Sequence, residues 1–522
     1  GAGLERSRGD DRAYRLIELE NGLRAMLVHD ATTPKAAAAL QVEVGQFSDP
    51  AIAAGDDADL PGLAHFLEHM LFLGTEKYPD ENEYSRFLAA HAGGSNAYTA
   101  AEATMYHFDV AAPALEGALD RFAQFFVAPL FTADATAREL NAVHSENSKN
   151  LQNDMWRLFQ LDKSTADPAH PYQRFGTGNL ETLRDAPAAA GVDVRAALLA
   201  FHEKYYSASV MTLCVLGAES LDDLEAMVRP RFAPIRNTGR AAPVFDSPAM
   251  PYAAPQLATR TLAVPVTERR RVELAWALPE QRSHYKSKPT RLLSHLIGHE
   301  GPGSVLSVLK AQDLATGLMA GAYHDNSGFQ TFGVTVEVTE AGLARADDVI
   351  EVVFAYVAML RREGVGSEAK RWLMDEFTAT EADSFRFQSK QPPQGAVTAI
   401  AGNLARYEAP HVLTGPYLVR EYDGDAIRDV LARMTPDNVR IMQTAKSYAG
   451  ATDAKERWYE VDYKQTKVDE ATLARWRAAA ETSPPVALPE PNQFIATDFA
   501  IRADTAPDAG PDDAVGGALR AG

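Results

Sequence analysis

The 522-residue chain has a single cysteine, Cys214. Internal disulfides are thereby excluded, and a reducing compartment, the cytoplasm, is the expected setting. Cys214 sits in the apolar run Val210–Leu216, which suits a buried structural thiol better than a reactive one. No stretch approaches the roughly 18 apolar residues of a membrane span. The N-terminus shows no charged-then-apolar signal pattern, although the chain opens at Gly1 rather than Met, as a processed or partial chain would. Positive charge is scarce: 51 Lys and Arg stand against 71 Asp and Glu, a net charge of −20. That balance argues against nucleic acid and anionic membranes as partners. If the acidity lines a substrate chamber it favours cationic peptides, whereas on an outer surface it only aids solubility.

What is present is more specific. The pentapeptide His65-Phe66-Leu67-Glu68-His69 reads as helix, with Leu63, Phe66, Leu67, Met70 and Leu71 as its apolar stripe. Positions i and i+4 lie one above the other on a helix. His65 and His69 can therefore turn both imidazoles toward one metal ion. Glu68 projects from the same side, placed to accept a proton from a water in an open coordination position. This order, with Glu directly before the second His, is the inverted zincin pattern. Glu146 stands seventy-seven residues beyond His69, in the segment Arg138–Asn147. That segment reads as a helix with Glu139 and Glu146 seven apart on one face. One carboxylate can ligate while the other supports the ligands from behind. His65, His69 and Glu146 make a His₂Glu set that leaves a position for water. A packed amphipathic helix and a solvated acidic face are the plainer readings of the two segments. They do not account for two histidines, a base and a third ligand occurring together.

Further along, residues 237–256 (NTGRAAPVFDSPAMPYAAPQ) have a linker's composition, and a second such zone runs from Ser483. Beyond 503 the chain becomes Asp/Ala/Gly/Pro-rich, as a disordered tail does. The expected layout is a short tail (1–13), a first block (14–236), the linker, a second block (257–485) and a closing tail (486–522). Each block alternates β-patterned and helical runs, an α+β pattern. Ala25–His29 and Tyr98–Val110 are strand candidates, the latter behind a Gly93-Gly94 turn. The blocks look like repeats: His295-Leu296-Ile297-Gly298-His299 matches the spacing of the first pair of histidines. Glu376 also follows His299 by the same seventy-seven residues. Gly298, however, replaces the base and weakens the helix. A duplicated domain without the chemistry is the better reading, with one zinc per chain. Gly298-x-x-x-x-Gly303-Ser304 begins like a phosphate loop but has no lysine, which excludes nucleotide binding by that motif.

The run Gly62–Phe108 resembles the pitrilysin/insulysin family of inverted zinc metallopeptidases. So do Ala118–Phe131, Asn153–Asn179 and Ser294–Lys310. The resemblance extends from about Tyr14 to Phe499 and covers only the family's N-terminal half. It implies two homologous metallopeptidase α/β-roll domains in tandem, each a mixed, mainly antiparallel sheet packed against helices. It further implies zinc on His65, His69 and Glu146, Glu68 as catalytic base and Glu139 as the supporting carboxylate. The activity implied is that of a zinc metalloendopeptidase acting on short or unfolded peptides. Asn96, Ala97 and Tyr98 would belong to the strand that pairs with substrate, with Phe72 and Tyr98 as aromatic walls beside the scissile bond and Trp156 and Phe159 nearby. Ordinary core packing is the alternative for each of these aromatics, and for Trp156 and Phe159 it weighs equally. The second block would hold the amino end of the peptide through His295, Gly298, Leu318 and Ala320, where the family has Gly at the last position. A C-terminal half or second chain would close the catalytic chamber. The competing expectation is a peptide-binding or scaffold subunit without activity, yet such subunits commonly lose a ligand or the base, and all four residues stand here.

Overall fold

The computed structural model describes residues 4–52, 56, 58–246, 248–479 and 485–499. The tail expected beyond 503 lies outside them.

Two mixed sheets organise the chain, which is α+β throughout. The first has six strands, β1 (Ala13–Glu18), β2 (Arg24–His29), β3 (Lys35–Val42), β4 (Gly94–Thr99), β5 (Thr104–Ala111) and β6 (Met211–Gly217), in the order β1-β2-β6-β3-β5-β4. The second has seven: β7 (Thr259–Ala263), β8 (Arg270–Pro279), β9 (Ala315–Tyr323), β10 (Phe329–Val338), β11 (Arg440–Ala445), β12 (Ala454–Lys455) and β13 (Asp462–Lys467). Their order is β12-β13-β7-β11-β8-β10-β9. From β7 to β9 this repeats the first sheet, including one parallel pair, β11 with β7, matching β2 with β6. The repeat suggested by the two histidine pairs is therefore visible in strand order.

Side-chain alternation shows what each sheet face packs against. In the first sheet Leu27, Ala38, Leu40, Tyr106, Phe108 and Val215 point into the main core, with the helices Leu63–Met70 and Leu115–Val127. The alternate residues Met26, Val28, Ala37, Ala39, Met105 and Cys214 face a second layer. That layer is the helix Pro393–Arg406, whose Val397, Ile400, Ala401 and Leu404 come from the second block of the sequence. Strand β3 (KAAAALQV) is thus buried on both faces, and its alanines admit helices close on either side. Cys214 is fully buried there.

The second sheet buries its main core on one face, while the other meets first-block residues in smaller clusters, among them Leu158 and Leu161 against Ala263 and Met442. Val272, Leu274, Trp276 and Leu278 of β8 are buried with the helices Pro289–Ile297 and Ala346–Arg362. Arg271, Glu273 and Ala275 face the other way, into a cavity beneath the helix Asp154–Ser164. Residues 237–253, between the last helix of the first block and the 3-10 turn Ala254–Gln256, carry no regular element among those described. Residues 485–499 also lack regular structure, but Val486 and Leu488 pack on the second core.

One element differs from the expectation. Tyr98–Val110 is two strands rather than one: β4 ends at Thr99, a turn spans 100–103, and β5 begins at Thr104. The turn has no Gly or Pro to announce it. Glu102 secures it from outside, accepting hydrogen bonds from the Ser327 backbone N–H and pairing with Arg282 at 2.9 Å.

Candidate metal centre and cleft

The helix Leu63–Met70 places the first two donors. It opens on Gly62, at φ 92°, where a Cβ would fall 2.3 Å from the Cα of Gly178. Only glycine meets both demands. The buried carboxylate of Asp49 accepts from the Gly62 and Ala64 backbone N–H groups, both at 2.7 Å, and so caps the helix end. Leu63, Phe66, Leu67 and Met70 are buried beneath, which fixes the rotation that turns His65, Glu68 and His69 toward the cleft.

Each imidazole is then oriented by its inner nitrogen. His65 Nδ1 lies 2.6 Å from the Thr177 carbonyl, and His69 Nδ1 lies 2.7 Å from Glu139 Oε1. Both Nε2 atoms are left facing Glu146 from the helix Ala133–Asn150, whose Oε2 is 3.6 Å from His65 Nε2 and 3.5 Å from His69 Nε2. Donors on one tetrahedral zinc, at about 2.0–2.2 Å from it, are roughly 3.3–3.5 Å apart. The spacing therefore fits a metal ion, and all three donor atoms lie within 4.8 Å of one another. Orientation of a ligating histidine by a carboxylate or carbonyl on its other nitrogen is the usual arrangement behind metal ligands.

The electrostatics follow from packing. Burial raises the Glu68 carboxyl above its ordinary range, against the opposing pull of His65 and of the hydrogen bond donated by Thr99 Oγ1 at 2.6 Å. Burial alone would lower His69, but the carboxylates of Glu139 and Glu146 outweigh it and push the imidazole up to about 9. Glu146 is lowered, chiefly by His69. Without metal, the site is a proton-holding histidine–carboxylate cluster.

Around these residues lies a cleft of about 670 Å³. Phe72, Asn96, Ala97, Tyr98, Trp156 and Phe159, named above from sequence, all line it. β4 is the terminal strand of its sheet, and among the described residues one of its edges has no strand neighbour. Phe72 serves core and cleft together, its ring 5.1 Å from that of Phe125. Phe159 stacks on His324 at 5.0 Å. The second group, His295, Gly298, Leu318 and Ala320, is elsewhere: Ala320 and Leu318 are on β9, the terminal strand of the second sheet, and a Cβ on Gly298 would sit 3.9 Å from that of Ala320. His295 and His299 rings are 6.5 Å apart, and Glu376 accepts from the Asn492 backbone. Among the described residues only His65, His69 and Glu146 form a group able to hold a metal.

Several cleft residues escaped the sequence reading. Thr99 holds Glu68, and Thr177 orients His65. Tyr459, from the far end of the second block, shares a hydrogen bond of 3.0 Å with Thr177 Oγ1 and so supports that loop. Gln46 and the buried Lys163 also line the cleft, 3.5 Å apart. Thr99 and Thr177 lay within motif runs already marked, but nothing local pointed to Tyr459.

The helix motif has the inverted His-x-x-Glu-His order, with Glu68 directly before the second histidine. Three family descriptions match in succession: "Insulinase (Peptidase family M16)" over 24–169, "Peptidase M16 inactive domain" over 193–369 and "Middle or third domain of peptidase_M16" over 385–513. The insulin-degrading enzyme of Bos taurus is 45% identical over 96% of this chain and 48% of its own length. The A-factor-processing enzyme of Saccharomyces cerevisiae is 41% identical over 94% and 46%. The crystal structure of pitrilysin superposes with a TM-score of 0.88 at 31% identity, over 95% of this chain and 51% of that one. The chain belongs to peptidase family M16, and it spans about half the length of the relatives it matches.

Proposed function

We propose that the chain is the zinc-binding half of a metalloendopeptidase that hydrolyses short or unfolded peptides. The observation that carries this reading is the convergence of the His65, His69 and Glu146 donors beside a buried Glu68. Those three residues would hold one Zn²⁺, with Glu139 and the Thr177 carbonyl keeping the imidazoles aimed. Bound there, zinc supplies Lewis-acid polarisation of the scissile carbonyl and a nucleophilic water near neutral pH. Glu68 takes the proton from the attacking water and passes it to the leaving amine. Its raised pKa suits a group that must act first as base and then as acid. The Thr99 hydroxyl holds it in place between the two transfers.

Substrate main chain would pair with the free edge of β4, with Phe72, Tyr98, Trp156 and Phe159 beside the scissile bond. His295, Gly298, Leu318 and Ala320 would hold the amino end of a longer peptide along the second sheet. The other half of the relatives' length, in the same polypeptide or a second chain, would close the cleft and exclude folded proteins. The half-length match also favours a second reading, a subunit that binds peptide but cleaves only with that partner. A quenched fluorescent peptide decides between them. Chelator-sensitive cleavage by this chain, lost in Glu68→Gln, is expected for an enzyme. Binding without cleavage identifies the partner-dependent subunit, and cleavage that survives Glu68→Gln refutes the mechanism.

A further inference from the structure

The cavity beneath the helix Asp154–Ser164 takes no part in the chemistry assigned above. It holds about 510 Å³ and shares Trp156 and Phe159 with the metal cleft. Those two rings border both spaces. The floor is the face of the second sheet turned away from its main core, and Tyr323 adds a third aromatic ring.

Most of the charge in this cavity is already neutralised. Asp154 accepts from the Val266 and Thr267 backbone N–H groups and lies 3.8 Å from Arg157. Asp162 pairs with Arg440 at 3.1 Å and accepts from the Tyr172 and Tyr252 hydroxyls. Arg271 pairs with Glu337 on β10. The Glu273 carboxylate, in the middle of β8, has no hydrogen-bond or ion-pair partner among the described residues, and the Arg269 guanidinium has no carboxylate partner among them. Burial raises the Glu273 carboxyl, with Arg271 and Arg269 pulling against it and Asp162 and Glu337 adding to it. A carboxylate left in this state gains from any cation that reaches it.

We propose that this cavity is a subsite for a cationic side chain, arginine or lysine, of a peptide held in the metal cleft, with Glu273 as its counter-charge. The inference rests on the peptidase reading of that cleft. The aromatic walls suit such a guest: a guanidinium or the stem of a lysine lies well against Trp156 or Tyr323. Arg269 is the repulsive neighbour on the same stretch of chain and sets the limit on affinity.

Binding separates this proposal from turnover. The probes are fluorescent peptides identical except for Arg, Gln or Glu placed at each position in turn, titrated against the full zinc-loaded chain carrying Glu68→Gln. At one position Arg should bind about tenfold tighter than Gln, and Glu more weakly than either. Adding Glu273→Gln should erase that preference and leave the Gln peptide unchanged, while adding Arg269→Gln should tighten Arg binding severalfold. Equal affinity for all three peptides at every position overturns the proposal. So does a preference that survives Glu273→Gln. If the preference is found but the chain with Glu68 intact never cleaves, even with a partner half, the subsite stands and the peptidase reading falls.

Discussion

The two sheets are near copies in strand order, yet among the described residues only one is joined to a set of metal donors. In the first repeat the helix runs unbroken through His65, Glu68 and His69, with Glu146 across from it. In the second, the corresponding helix stops at Ile297 with Gly298 as its cap. His299 therefore falls outside the helix, and its ring is 6.5 Å from that of His295, against 4.8 Å for the first pair. Equal sequence spacing did not preserve the site, because one glycine removed the base and ended the helix that would have stacked the ligands. The family description "inactive domain" covers this segment. The outer faces differ in the opposite sense. Where the first sheet is sealed by the helix Pro393–Arg406, the second keeps an open, charged cavity. The candidate metal donors stand in the first repeat, and a cavity borders each of the two sheets.

The comparison breaks most sharply at Glu68. Glu68→Gln should lower peptide turnover by about 10²–10⁴-fold while zinc content is retained, since it removes a base and no ligand. Restoring the motif in the second repeat with Gly298→Glu should give neither a second zinc nor new activity, as His299 would still lie beyond the helix. Zinc analysis and the peptide assay read both.

Next in size is the support behind the ligands. Glu139→Gln should weaken zinc affinity by roughly 10–100-fold, measured by competition with a chromophoric chelator, whereas Glu376→Gln should leave it unchanged. Gly62→Ala forces a positive φ on a residue with a Cβ and presses it against Gly178. It should cost about 1–3 kcal/mol in denaturant unfolding, compared with a near-neutral Gly395→Ala, where a Cβ meets nothing within 4 Å.

The smallest effect is in pH. In zinc-free protein His69 is raised from 6.5 to about 9. The folded state binds this proton more tightly than the unfolded state. The resulting stabilisation is complete below about pH 6.5 and is lost as pH rises through about 9. The stability difference between zinc-free wild type and Glu139→Gln should accordingly shrink from pH 6 to pH 9.5. Zinc and the proton compete for the same imidazole, so zinc affinity should rise over that window.

How much of this was legible in the sequence depends on the range of the interactions involved. His65, Glu68, His69 and the helix bearing Glu139 and Glu146 were readable because helical periodicity is local and its ligand pattern specific. Strand β2 was readable for the same reason. The turn at 100–103 was not: its residues Ala100, Ala101, Glu102 and Ala103 carry no turn chemistry, and Glu102 is held by Ser327 and Arg282 from the other block. Tyr459 in the cleft and the helix Pro393–Arg406 on the first sheet were hidden likewise, since both cross between blocks. The second pair of histidines shows the converse failure, a spacing that survives while the geometry does not.

The most direct measurement is zinc per chain by elemental analysis after zinc-replete dialysis, on wild type, His69→Ala and His299→Ala. About one zinc in wild type and in His299→Ala, with little in His69→Ala, is the expected result. No bound zinc in wild type, or equal loss in the two variants, would contradict a single centre built on His65, His69 and Glu146.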